Sequence, residues 1–338
     1  IAGRWEEDPA LFDLVFPYDL RSQGQDIIRT WLFSTMLRAE LEHGTVPWTN
    51  AGISGFIVDP DRKKMSKSKG NVVTPAAMLE THGSDAVRYW AASSRLGTDA
   101  AFDPQNPKQM KIGRRLAIKV LNAAKFVYSF PAPEAAAAGS AAVTEPLDID
   151  MLATLSEVVV TATATYEAYD HARALETTEQ FFWTFCDDYL ELVKERAYGS
   201  QGEAGQASAV AALRLAIDVM LRLLAPVLPF ATEEVWSWTH SGSVHTAAWP
   251  TVDEIGIDAQ HGGLLALVSQ ALIGVRRAKT DAKASQKTPV TRAVLAAPAL
   301  LSFAADDLKA VGRIAELELS EADEIAVVSI ELGELPQN

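Results

Sequence analysis

Arg62, Lys63, Lys64, Lys67 and Lys69 fall within one short stretch, RKKMSKSKGN (62–71), of a chain whose formal net charge is −14. A bare basic run reads most simply as a solvated loop or an address tag. Here Ser66 and Ser68 alternate with the lysines and Gly70 follows. Ammonium, hydroxyl and backbone N–H donors can then converge on anionic oxygens with no rigid element in the way. That is equipment for holding a triphosphate. Each charge-assisted bond is worth roughly 1.5 to 3 kcal/mol. Two that strengthen as pyrophosphate charge develops give about 10² to 10⁴ in rate. The spacing is not that of a Walker loop, which needs Gly-x4-Gly-Lys-Ser/Thr ahead of a helix. The nucleotide must be held differently.

The elements around the loop have to position it. AGISGFIV (51–58) predicts a short buried strand and DPDR a turn, so the loop hangs from a strand end. Ahead of it, DIIRTWLFSTMLRAELEH (26–43) puts Ile27, Ile28, Trp31, Leu32, Leu37 and Leu41 near one face of a helix closed by Gly44. Behind it, VTPAAMLETHG and GSDAVRYWAASSRLG predict two helices, the first capped by Thr74 with Pro75 in its first turn, the second capped by Ser84. Residues 107–130 predict a long helix whose stripe Ile112, Leu116, Val120, Ala123 and Val127 forces Lys108, Lys111, Arg114, Arg115, Lys119 and Lys125 onto its other faces. The connector PAPEAAAAGSAAVTEP leads to helices near 148–169, 171–198, 207–225 and 230–240, which read as an antiparallel bundle. A helix near 263–283, TRAVLAAP, a helix near 299–313 and the strand-like runs AELELS and EIAVVSIEL form a small α+β module.

Composition sets the bounds. With 338 residues, 48% of them apolar, the chain can build two or three real cores. A pI near 4.9 confines any nucleic-acid contact to local basic patches. One cysteine, Cys186, excludes an intrachain disulfide and a cysteine-based zinc site in this segment, and its setting in FFWTFCDDYL reads as a buried core thiol. No run has the length of a membrane span and no signal pattern opens the chain, so the cytoplasm is the default expectation. The start, without Met and without a complete domain before the first motif, is read as belonging to a longer polypeptide.

Lys64-Met65-Ser66-Lys67-Ser68 resembles the signature loop of class I aminoacyl-tRNA synthetases. GQDIIRTW (24–31) is similar to the Gly-x-Asp…Trp segment of the valine and isoleucine enzymes, ISGFIVD (53–59) to the strand before the loop, and HGSDAVRYW (82–90) to the helix start after it. LPFATEEVW (228–236) is similar to the last helix of the helical anticodon-binding domain. Nearly the whole chain is covered. The wording is closest to an archaeal-like valine branch; an isoleucine enzyme and a non-catalytic tRNA-binding module are the alternatives.

The resemblance implies a multidomain α/β plus all-α fold: the C-terminal half of a Rossmann-type catalytic domain over 1–106, a helical-bundle anticodon-binding domain over 107–250 and an α+β module over 251–338. It makes Lys64 and Lys67 the catalytic pair that grips ATP and stabilises the leaving pyrophosphate, with Ser66 and Ser68 fixing the loop and Met65 packing it. Asp26 would accept from the ribose hydroxyls, Gly24 would allow close approach, and Ser54, Gly55 and Phe56 would meet adenine largely through backbone groups. Trp31 would line the amino-acid pocket. Lys111, Arg114, Arg115 and Lys119 are the candidate tRNA contacts. Implied partners are ATP with Mg²⁺ as substrate complex, valine and a valine-acceptor tRNA, with no protein-bound zinc, no membrane and a monomeric state. One departure stands out: none of the histidines lies in a His-x-Gly-His pattern. In the family that motif and the editing domain precede this segment, so this chain alone is not expected to aminoacylate.

Overall fold

The computed structural model describes residues 6–66, 68, 70–72, 74–131, 140–257 and 262–334. Two compact units emerge. One holds the chain up to Leu116 together with Thr165–Arg173; the other holds Ala117–Ala164 and everything from Ala174 onward.

In the first unit, strands β1 (Tyr18–Gly24) and β2 (Trp48–Ser54) pair in parallel, Tyr18 opposite Trp48 and Gly24 opposite Ser54. Parallel neighbours need a crossover. It is supplied by a tight 3₁₀ turn (Gln25–Ile27), a π-helical turn (Ile28–Leu32) and helix α1 (Phe33–His43), which ends at Gly44 in the left-handed region (φ 65°). The expected continuous helix from Asp26 is thus three geometries in series. Its apolar stripe is not buried either: Ile27, Ile28, Trp31, Leu37 and Leu41 are exposed and Leu32 is only half-buried.

AGISGFIV is not one strand. β2 stops at Ser54, and β3 (Ile57–Val58) pairs in parallel with β4 (Ala100–Ala101) instead. Gly55 marks the change, because a Cβ there would strike the Thr98 carbonyl. The Phe56 N–H is taken by Asp99 Oδ1 at 2.8 Å, drawing the chain off the ladder. Of the segment expected to be a buried strand only Val58 is buried; Ala51, Ser54 and Ile57 are exposed and the other residues are half-buried. The two following helices, α2 (Ala76–His82) and α3 (Ser84–Ala92), lack the expected side-chain caps. Pro75 starts the first, whose φ suits a helix entry. Gly83 at φ 85° turns the chain into the second, so Ser84 is already helical. A small core of Ala86, Phe102 and Met110 lies beneath, with Met65, Met78, Val87 and Trp90 packed on it.

Helix α4 (Lys108–Val127) buries Leu116, Val120, Ala123 and Val127 of the predicted stripe, with Ile112 half-buried, and leaves Lys111, Arg114 and Arg115 exposed. In the second unit the bundle follows: α5 (Pro146–Glu167), α6 (His171–Thr184), α7 (Leu190–Ala197), α8 (Gly202–Leu224) and α9 (Pro229–Trp236). A π turn, Phe185–Tyr189, joins α6 to α7 and rotates Phe185, Cys186 and Tyr189 into the core. Behind the bundle, α10 (Leu264–Asp281) and α11 (Ala305–Gly312) pack on a sheet whose central strand β5 (Val290–Ala297) pairs in parallel with β6 (Ile314–Glu321) and antiparallel with β7 (Ala326–Leu332). TRAVLAAP is therefore the middle of the sheet.

One buried ionic cluster ties this unit together. Arg196 of α7 is fully buried, bonded in parallel to both oxygens of Asp148 at 2.7 and 2.8 Å and to both of Asp307 at 2.9 and 3.0 Å. Tyr189 and Ser208 donate to Asp148, and Gln201 donates to Asp307. Each charge of this cluster has a partner, which is the condition for tolerating charges away from water.

Candidate functional site

The register of β1 on β2 brings Gly24 and Ser54 side by side at the carboxyl ends of two parallel strands, where ligands of open α/β sheets bind. Asp26 follows Gly24 in the 3₁₀ turn; Phe56 follows Ser54. The lysine loop comes to meet them. Val58 and Lys64 form an antiparallel bridge, and a tight turn at Asp59–Lys63, with Arg62 at φ 60°, aims Lys64 back over the strand ends. Lys64 Nζ lies 3.0 Å from Asp26 Oδ2 and 4.1 Å above the centre of the Phe56 ring. This hydrogen bond holds the Asp26 carboxyl below the usual carboxylate range. Both groups are half-exposed, so the pair is screened and easily exchanged for another anion or donor.

The structure brings Gly24, Asp26, Ser54, Gly55, Phe56 and Lys64 together and refines what each can offer. Ser54 Oγ donates to the Gln23 carbonyl at 3.1 Å. Both backbone groups of Phe56 are engaged, the N–H with Asp99 and the carbonyl with the Ala100 N–H, so that what it can offer a ligand is its ring, over which the Lys64 ammonium now sits. Gly55 is required by the Thr98 backbone. Met65 is a packing residue on the Ala86–Phe102–Met110 core. Ser66 and Ser68 have their hydroxyl oxygens 3.3 Å apart. Lys67 and Lys69 lie outside the described residues.

Trp31 is 41% exposed, its ring parallel to that of Trp48 at 6.2 Å, with the Arg21 guanidinium 4.7 Å above it. Sequence reasoning passed over Arg21, Asp59, Asn71 and Asp99. The signal for the last three was available: short Asp and Asn side chains beside turns commonly bind nearby backbone N–H groups.

The basic helix is less uniform than its sequence. Arg114 donates to the Thr81 carbonyl, and Lys119 pairs with Asp187 at 2.9 Å near the Trp183 ring. Lys111 and Arg115 are exposed. Among the described residues no group of three or more His, Cys, Asp or Glu is placed to hold a metal ion, and no helix is long and apolar enough to cross a membrane.

Residues 4–103 match the family of class I tRNA synthetases (I, L, M and V), and residues 148–295 match the anticodon-binding domain of tRNA ligases. The chain thus combines catalytic-domain and anticodon-binding sequence of class I tRNA synthetases. Within that class its similarity is to valine–tRNA ligases: 64% identity over all of this chain with that of Leifsonia xyli subsp. xyli, 59% over 98% with that of Thermobifida fusca, and 53% over 98% with that of Salinispora tropica. The chain spans 39%, 38% and 41% of those relatives. The ternary complex of Agrobacterium radiobacter K84 agnB2 LeuRS with tRNA and LeuAMS shares the fold over 85% of this chain and 32% of its own, at TM-score 0.56 and 19% identity.

Proposed function

We propose that this chain supplies the second part of the catalytic domain and the tRNA-binding part of a valine–tRNA ligase, in which valine is activated by ATP and passed to its tRNA. The meeting of Asp26, Phe56 and Lys64 at the ends of two parallel strands carries this reading. In adenylate formation the valine carboxylate attacks the α-phosphorus of Mg·ATP and pyrophosphate leaves. Lys64 moves from Asp26 to the phosphates, with Lys67 beside it, and Asp26 is freed to accept from the ribose hydroxyls. The Phe56 ring offers adenine a face. Trp31, stacked parallel to Trp48 and with the Arg21 guanidinium over its ring, lines the valine side-chain pocket. Positioning and charge stabilisation do the work, with no covalent step on the protein.

Lys111, Arg114, Arg115 and Lys119 are the candidates for tRNA phosphates; of these, Arg114 would leave the Thr81 carbonyl and Lys119 would leave Asp187 to do so. We assign residues 1–106, 107–250 and 251–338 to the catalytic part, the anticodon-binding bundle and the terminal module. An archaeal-like branch, a monomeric state and a cytoplasmic setting complete the proposal. The test is ATP–pyrophosphate exchange by the full polypeptide that carries this segment: valine should support it far better than isoleucine at equal concentration, and a preference for isoleucine would overturn the assignment.

A further inference from the structure

Asn71 sits partly buried where the lysine loop leaves, and its amide is used in both directions. Oδ1 accepts the Ser66 N–H at 2.9 Å; Nδ2 donates to Asp59 Oδ2 at 2.9 Å and to the Lys64 carbonyl at 3.4 Å. Asp59 is fixed in turn. Its Oδ1 accepts the Lys63 N–H at 2.8 Å, and its own N–H donates to the Lys63 carbonyl at 2.9 Å. The Asn71 amide, with the Lys63 N–H second, holds the Asp59 carboxyl below the usual range. Together the two side chains close the loop between strand end and loop exit, and grip the backbone on both sides of Lys64. Met65, packed on the core beneath, fixes the same stretch from within.

We propose that Asn71 and Asp59 are a positioning pair that sets the Lys64 ammonium for the triphosphate of ATP. The inference rests on the functional reading above and deepens it, since neither residue is placed against substrate. The chemistry of the pair is specific. The residue at 71 must accept from Ser66 and donate to a carboxylate at once, which an amide does. Alanine removes both bonds, and aspartate sets two carboxylates face to face. A lysine on a loosened loop still attracts phosphate, but arrives misplaced as the pyrophosphate charge develops.

The test uses the full polypeptide, with two readouts: valine-dependent ATP–pyrophosphate exchange, and transfer of valine from preformed adenylate to tRNA. Asn71→Ala and Asn71→Asp should each lower the exchange kcat about 10- to 100-fold, the scale of a small misplacement. The KM for valine and the transfer rate should stay parental. The double variant Asn71→Asp with Asp59→Asn exchanges donor and acceptor while keeping the Ser66 and Lys63 bonds, and should restore most of the lost kcat. An Asn71→Ala enzyme with parental kcat, a double variant no better than Asn71→Asp alone, or equal losses in exchange and transfer would each overturn the proposal. If the parent exchanges with another amino acid instead, the functional reading falls, and the same variants are compared with that amino acid.

Discussion

The Lys64 ammonium meets the Asp26 carboxylate and the Phe56 ring, and in the proposed function ATP takes the place of both. Its ammonium is thereby kept over the strand ends rather than in bulk water. Lys64→Ala in the full polypeptide should lower the exchange kcat about 10²-fold, the usual cost of removing one preorganised donor; a parental rate would exclude Lys64 from the transition state. Asp26→Asn should raise the KM for ATP with little change in that for valine, because an amide is a poorer acceptor for two hydroxyls. Cys186 behaves as its sequence setting suggested. Burial pushes its thiol up to about 12 from 9.0, so the folded chain holds its proton where the unfolded chain gives it up. This contribution to stability is intact below pH 9 and is lost as pH rises from there toward 12. Native protein at pH 8 should therefore resist thiol reagents until denaturant is added; rapid native labelling would contradict the burial.

Among the elements, those with unusual composition were legible and those set by partners far along the chain were not. The lysine loop, the stripe of α4 and the bundle helices could be read from charge and period alone. The interruption of AGISGFIV could not, because it depends on Asp99 and Thr98, more than forty residues on. Nor could the π turns at 28–32 and 185–189, each of which shifts a face without breaking a helical pattern. Thr74 and Ser84 looked like caps by type, yet Pro75 and Gly83 set those helix starts through their backbones. Asn71 and Asp59 were quoted in the motifs without a role, since only the folded turn shows that they touch. Gly55 gives a direct test of this scale: Gly55→Ala should destabilise the first unit by about 1 to 3 kcal/mol, the range of overpacking, seen as a lower thermal midpoint. An unchanged midpoint would mean that the Thr98 approach is not tight.

At the scale of the whole molecule, the second unit depends on Arg196. Replacing it with methionine leaves Asp148 and Asp307 buried and uncompensated, at a cost of about 3 to 5 kcal/mol in urea unfolding. Asp307→Asn should cost less, because Arg196 keeps Asp148. The first unit has the opposite character, with Ile28, Phe33, Met36, Leu37 and Val46 bare around one groove. Contiguous apolar surface of this kind drives association. Phe33→Glu with Leu37→Glu should reduce light scattering by the isolated chain without lowering its unfolding midpoint. The central claim, that this is the tRNA-binding portion of a valine enzyme, is tested most directly with the chain as it stands. It is mixed with total tRNA at moderate salt, and the retained fraction is recovered and sequenced. Enrichment of valine acceptors is the predicted result; enrichment of isoleucine acceptors, or no retention even at low salt, would contradict it.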